Sequence, residues 1–208
     1  MSYSPTEIAS IQNELRQSVL AQRQILNADE VHQKSKAVCE RFLDFLGQNA
    51  SADDFNDQVI ALYRCKTETD GELNPSALLK SPLFTFAHFA FPRILSFTER
   101  TMDFAIPLHS SDWWVPKTLI PEPKADLPTV DPNDIGLIVV PGVVFSNKGF
   151  RVGRGAGFYD RFLKDCKGAM RVGLAYDFQL SEKLSDSVTA PWDEPLDILV
   201  TESKLFEF

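Results

Sequence analysis

Asp134-Ile-Gly-Leu-Ile-Val-Val-Pro-Gly-Val-Val-Phe-Ser-Asn-Lys-Gly-Phe-Arg-Val-Gly-Arg-Gly-Ala-Gly-Phe-Tyr-Asp-Arg-Phe-Leu163 runs from an apolar strand through a cationic, glycine-rich loop into a helix start. Gly136 to Val140 is continuously apolar, as expected of a strand buried on both faces. Between Ser146 and Lys164 stand five Lys/Arg and one Asp, a local charge of +4 in a chain whose formal charge is −8. Glycines at 149, 153, 155 and 157 permit tight turns and close approach of backbone N–H groups to a ligand. A helix beginning at Phe158 adds a partial positive charge at its N-terminus. These features predict a phosphate cradle, and with it an enzyme that uses a nucleotide.

Outward from this segment the same alternation continues. Ile8, Ile11, Leu15, Val19, Arg23 and Leu26 recur at steps of three or four, so residues 6 to 47 read as helical. A break falls at Asn27 to Glu30, where Asp29 is the expected cap, and Gly47 is the expected stop. Val59 to Tyr63, Phe84 to Phe91 (ending at Pro92), Met102 to Ile106, Arg171 to Tyr176 and Leu196 to Val200 are candidate strands. A short helix is expected after Pro75, and a helix from Phe158 to Cys166. Trp113 to Pro132 carries five prolines and reads as an extended surface segment. Strands alternating with helices predict an α/β fold: one domain over 1–208, a largely parallel sheet flanked by helices, and a helical N-terminal segment. In such sheets ligands sit beyond the carboxyl ends of strands, where the glycine loop falls.

A chain of 208 residues is long enough for a substantial core, and 44% hydrophobic with 24% charged residues is ordinary for a globular protein. A net charge of −8 argues against a general nucleic-acid binder, and no apolar run is long enough for a bilayer. The first residues have neither the basic nor the apolar region of a signal peptide. Cys39, Cys65 and Cys166 are too scattered for a zinc site and read as free thiols. The expectation is a cytoplasmic monomer acting on a small anionic molecule, with neither nucleic acid nor membrane as partner.

The loop is not a Walker A sequence, since no G-x-x-x-x-G-K-[ST] occurs. It is a poor dinucleotide fingerprint too: G-x-G-x-G at 153, 155 and 157 begins eleven residues after Gly142, whereas a Rossmann turn follows its strand at once. Pro141-Gly142 followed by Lys148-Gly149-Phe150-Arg151-Val152-Gly153-Arg154-Gly155-Ala156-Gly157-Phe158-Tyr159-Asp160 resembles the signature of the 5-formyltetrahydrofolate cyclo-ligase family. Leu15-Arg16, Gly71-Glu72-Leu73, Pro121-Glu122-Pro123, Val172 to Gln179 and Leu196-Asp197 to Thr201-Glu202 extend the resemblance over nearly the whole chain. It implies ATP- and Mg²⁺-dependent conversion of 5-formyltetrahydrofolate, with or without a polyglutamate tail, to 5,10-methenyltetrahydrofolate, ADP and phosphate. The γ-phosphoryl group would activate the formyl oxygen, N10 would attack the formyl carbon, and phosphate would leave.

Roles follow from residue chemistry read beside that resemblance. Arg151 and Arg154 offer forked guanidinium donors suited to phosphate oxygens, and Arg16 is expected to reach the phosphates from across the cleft. Gly153, Gly155, Ala156, Gly157 and Phe158 supply backbone to the nucleotide, with Lys148 a weaker candidate. Tyr159 is expected to hold the formyl group or the transferring phosphate through its hydroxyl, and with Arg154 is the catalytic candidate. Asp160, the acid of the loop, is the candidate Mg²⁺ ligand. Glu72 is the expected acceptor for the pterin amino and N–H groups, with Tyr63 and Phe91 as walls or as core. Glu122 is functional or merely a polar residue between prolines, and Arg23 reads as a solvated helix residue. Gln12 stands where relatives often carry lysine, and Ala156 where many carry lysine or glycine. They motivate one alternative, a nucleotide- or folate-binding regulator without turnover; another is a related ATP-dependent enzyme acting on a different formylated substrate.

Overall fold

The computed structural model describes residues 3–65, 70–117, 120–184, 188–189 and 192–208. Two long helices open the chain. Helix α1 (Pro5–Gln24) starts at Ser4 and α2 (Ala28–Asn49) at Asn27, each with a capping box that reaches Glu7 and Glu30 respectively. The cap at the break is thus Asn27, not Asp29: its side chain accepts from the Glu30 N–H at 2.9 Å. Gly47 does not stop α2, which runs on to Asn49. One glycine costs a helix only about 1 kcal/mol against alanine, and burial of Phe42 and Leu46 on the same face outweighs it.

Seven strands form the main sheet: β1 (Val59–Ala61), β2 (His88–Ser96), β3 (Thr101–Ala105), β6 (Ile135–Val139), β9 (Met170–Leu174), β10 (Ile198–Val200) and β11 (Leu205–Glu207). Their order is β11-β10-β9-β6-β1-β2-β3. The five central strands are parallel, and the edge strands β3 and β11 are antiparallel to their neighbours. Two short hairpins, β4 (Trp113–Trp114) with β5 (Glu122–Pro123) and β7 (Val144–Phe145) with β8 (Arg151–Val152), lie outside it. The chain leaves β1 toward β2 on one side and later returns to place β6 on the other. The carboxyl ends of β1 and β6 therefore flank the point where strand order reverses, the usual ligand crevice of an open α/β sheet.

Period-two alternation divides the core. Ile60, Leu62, Leu137 and Val139 face α2 through Val38, Phe42 and Leu46. Val59, Ala61, Ile138 and Val140 face the opposite layer with Phe104, Phe162 and Leu163 of α3 (Phe158–Leu163). Helix α1 packs instead on the β7–β8 hairpin, with Val19 against Val143, Val144 and Val152. That docking carries the polar side of α1 to the glycine loop.

Three stretches differ from the sequence reading. Phe84 closes a 3₁₀ turn, and the strand begins at His88 and passes through Pro92 to Ser96. Pairing with β1 has ended by then, the last partners being Ala61 and Ala90, so β2 is an edge on that side and tolerates a residue without an N–H. The 113–132 segment is not wholly superficial: Pro116, Glu122 and Pro123 are buried. Helix α3 ends at Leu163, short of Cys166.

Candidate active site

The glycine loop leaves β8 at Gly153 and enters α3 at Phe158, beyond the carboxyl end of β6. Gly155 and Gly157 have φ of 99° and 70°, a region open to glycine and costly for other residues. Gly157 caps α3 with no side chain bonding the first-turn amides, which leaves N–H groups directed at the loop. Six residues make a weak dipole, so the positive character of the loop rests on its side chains. Gly149 does not belong to this cradle. It turns the β7–β8 hairpin, where a Cβ would meet the Leu196 carbonyl and the Phe208 ring at 3.0 Å.

Arg16, on α1, donates from Nε to the Gly153 carbonyl at 2.9 Å. Its Nη2 lies 3.7 Å from where a Gly155 Cβ would be. This half-buried cation faces the glycines and makes no ion pair with a described residue. Arg151, on β8, is 3% exposed and pairs through Nη2 with Asp160 Oδ1 at 3.0 Å. Its Nε is buried without a hydrogen-bond partner, and so is the Tyr159 hydroxyl. An unmatched buried donor costs about 1–3 kcal/mol, and Arg151 is close enough to Tyr159 to act on its phenol electrostatically. Burial pushes the Tyr159 phenol well above its usual pKa, with Arg151 opposing that effect and Glu72 adding to it. All three groups therefore share one environment.

The opposite wall is the 70–74 segment. Glu72 is held from two sides, by Arg23 Nη2 on Oε1 at 3.4 Å and by Arg154 Nη2 on Oε2 at 3.3 Å. Arg154 also reaches Asp70 Oδ2 at 2.9 Å and is 52% exposed. Arg23 is not solvated: it is 1% exposed, and its guanidinium donates to the Gly71 and Asp70 carbonyls. Gly71, at φ 60°, lies against the Arg23 backbone, where a Cβ would fall 2.1 Å from the carbonyl oxygen. Arg23 therefore clamps the segment that presents Glu72.

The structure brings Arg16, Arg151, Arg154, Glu72, Tyr159 and Asp160 around one loop, with Gly153 to Gly157 as its floor and Ala156 exposed. Phe158 is half-buried edge-on to Phe97 at 5.9 Å. Tyr63 sits apart, at the carboxyl end of β1. There it lines a cavity of about 240 Å³ with Arg64, Cys65, Asn74 and Phe91, and donates to the Leu73 carbonyl at 2.7 Å. Sequence reasoning missed Arg23 and Asp70, although Arg23 occupies a register of the α1 apolar stripe, a sign of burial in plain view.

Mg²⁺ is the implied metal. Asp160 Oδ2 makes no hydrogen bond with a described residue, so one hard oxygen remains for it. No cluster of three or more His, Cys, Asp or Glu set to hold a metal occurs among the described residues. Mg²⁺ is commonly held by one or two carboxylates together with substrate phosphates, and the donor set fits that pattern.

Glu122 lies on β5, buried, with its Oε2 accepting from the Ile94 N–H at 3.1 Å. Burial raises its pKa above the usual carboxylate value. A carboxyl whose folded pKa is raised contributes stability below its unfolded pKa and loses it as pH rises through the folded one. Glu122→Gln should therefore stabilise the protein at pH 7, with the gain shrinking toward acid, as read by denaturant midpoints across pH. A loss at pH 7 would mean that the charge itself is used.

Comparison with known proteins fits this geometry. The model of the 5-formyltetrahydrofolate cyclo-ligase family matches residues 9–202. The chain is 33% identical over 191 residues to a 5-formyltetrahydrofolate cyclo-ligase of Haemophilus influenzae, covering 90% of this chain and 96% of that one. It is 33% identical over 142 residues to the Escherichia coli protein of the same name, covering 67% and 76%. The NMR structure of Aquifex aeolicus 5,10-methenyltetrahydrofolate synthetase superposes with a TM-score of 0.75 at 31% identity, covering 95% of this chain and 92% of that one. With the strand order, the loop and both of its walls accounted for, the chain belongs to the 5-formyltetrahydrofolate cyclo-ligase family.

Proposed function

We propose that the protein cyclises 5-formyltetrahydrofolate to 5,10-methenyltetrahydrofolate at the expense of ATP, releasing ADP and phosphate. The observation that carries this reading is the pair of buried donors without partners among the described residues, Arg151 Nε and Tyr159 OH, beside a glycine loop that Arg16 faces with no ion pair to a described residue. Phosphoryl transfer needs positioning and neutralisation of charge more than a strong nucleophile. Gly153 to Gly157 and Phe158 bring backbone to the phosphates, and Arg16 and Arg154 bring charge. Tyr159 and Arg151 donate to the oxygen on which negative charge develops as the formyl group is activated. Glu72 accepts from the pterin amino edge, for which an ionised carboxylate is the right partner. Asp160 would hold Mg²⁺, which neutralises phosphate charge when bound.

In this reading the protein acts as a monomer, because one chain supplies every part of the site. Three unpaired cysteines suit a reducing compartment, here the cytoplasm. No helix among the described residues is long and apolar enough to cross a membrane. The test is formation of the methenyl-folate chromophore from 5-formyltetrahydrofolate and MgATP, with ATP and metal omitted in turn. Signal that needs both is the expected result. Folate binding or ATP hydrolysis with no chromophore would overturn it.

A further inference from the structure

Arg64 stands three residues beyond the end of β1 and is exposed, yet it is fixed in place. Its guanidinium lies 4.5 Å from the Trp113 ring centroid and 5.7 Å from that of Phe91, and these two rings meet edge-on at 5.0 Å. It makes no hydrogen bond or ion pair with a described residue. An arginine left to solvent usually samples many rotamers; this one is held by two aromatic faces, with its N–H edge free. It stands at the rim of the 240 Å³ cavity lined by Tyr63, Cys65, Asn74 and Phe91.

That cavity joins the site described above through a single stretch of backbone. Glu72 points to the arginines of the glycine loop. The next residues serve the cavity: the Leu73 carbonyl accepts from both Tyr63 OH and Cys65 Sγ, and Asn74 and Pro75 line the wall. One side of the 72–75 segment thus offers a carboxylate, the other an aromatic-walled hollow ending in a cation with no ion pair among the described residues. A reduced folate carries complementary groups in the same order: a hydrogen-bonding pterin, an aromatic ring, then glutamyl carboxylates.

We propose that Arg64 is the residue that binds the glutamyl carboxylate of the folate tail, and so sets the preference for tailed over tailless folates. This rests on the folate reading of the site. The cation is pre-positioned, so little side-chain freedom is lost when a carboxylate docks, and the bond is charge-assisted. Lysine could not replace it fully, because a point charge on a flexible stem would lose the stack on Trp113.

The test is binding of three probes to the full chain, wild type, Arg64→Gln and Arg64→Lys: 5-formyltetrahydrofolate triglutamate, its monoglutamate, and the tailless 5-formyltetrahydropterin. Arg64→Gln should weaken both tailed folates about tenfold and the tailless pterin less than twofold. Arg64→Lys should fall between, and the difference between wild type and Arg64→Gln should shrink in high salt. Equal losses for all three probes would make Arg64 a structural clamp for Trp113 and overturn the assignment. Unchanged affinities would overturn it as well. Wild-type protein that binds none of the three probes would remove the folate reading itself, and the assignment with it.

Discussion

Tyr159→Phe should leave the fold as stable as before, or slightly more so, while lowering turnover about 10²–10³-fold. The two halves of this expectation come from one atom. The Tyr159 hydroxyl is buried and has no hydrogen-bond partner among the described residues. Its removal breaks no contact and relieves an unmatched donor, a change on the order of 1 kcal/mol in favour of the folded state. The ring remains, edge-on to Phe104 at 6.4 Å. In the proposed reaction the same hydroxyl would donate to oxygens on which phosphoryl transfer to the formyl oxygen places negative charge. Burial keeps the phenol protonated throughout the neutral range, so it acts as a donor and not as a base. The loss should therefore be nearly constant from about pH 6 to pH 9. Urea midpoints and steady-state kcat on the same preparations check both halves. A drop in stability that matches the drop in activity would make the hydroxyl structural and remove it from the mechanism.

Much of this site was legible in the sequence because the chemistry is local. The 153–160 segment is readable on its own: glycines at 155 and 157 where φ is positive, Arg154 beside them and an acid in the first helical turn. Those residues stay together whatever the rest of the chain does. The strands at 59–61, 135–139 and 198–200 were legible for a similar reason, since strands buried on both faces are continuously apolar. What was not legible is whatever depends on distant packing. Pro92 reads as a strand end until β1 is seen to stop beside it. The β7–β8 hairpin is only two residues per strand, too short for any period. Arg23 and Asp70 are separated by a helix, a strand and a loop, and only docking of α1 on that hairpin makes them neighbours of Arg154. Gly149 shows the opposite error, in that adjacency to the loop suggested a shared role that the hairpin turn does not give it.

Arg151→Met should be the most destabilising single change among the charged residues of the site, at about 3 kcal/mol, with activity lost as well. Its guanidinium is 3% exposed and Asp160 is 18% exposed. Removing the cation leaves a largely buried carboxylate without its partner, which ordinarily costs about 3–5 kcal/mol; residual solvent at Asp160 favours the lower end. If the cost comes from the stranded charge, adding Asp160→Asn to Arg151→Met should restore much of the stability, although each change alone destabilises. Activity separates the two roles open to Asp160. As counter-ion alone, it acts through Arg151, and Asp160→Asn should lower kcat without moving the Mg²⁺ concentration that gives half-maximal rate. As metal ligand through Oδ2, with Oδ1 still on Arg151, its loss should raise that concentration about tenfold or more. The second outcome is expected, because Oδ2 makes no hydrogen bond with a described residue while Oδ1 is committed at 3.0 Å. A flat Mg²⁺ dependence would leave the metal to the nucleotide phosphates and reduce Asp160 to the group that holds Arg151 in place.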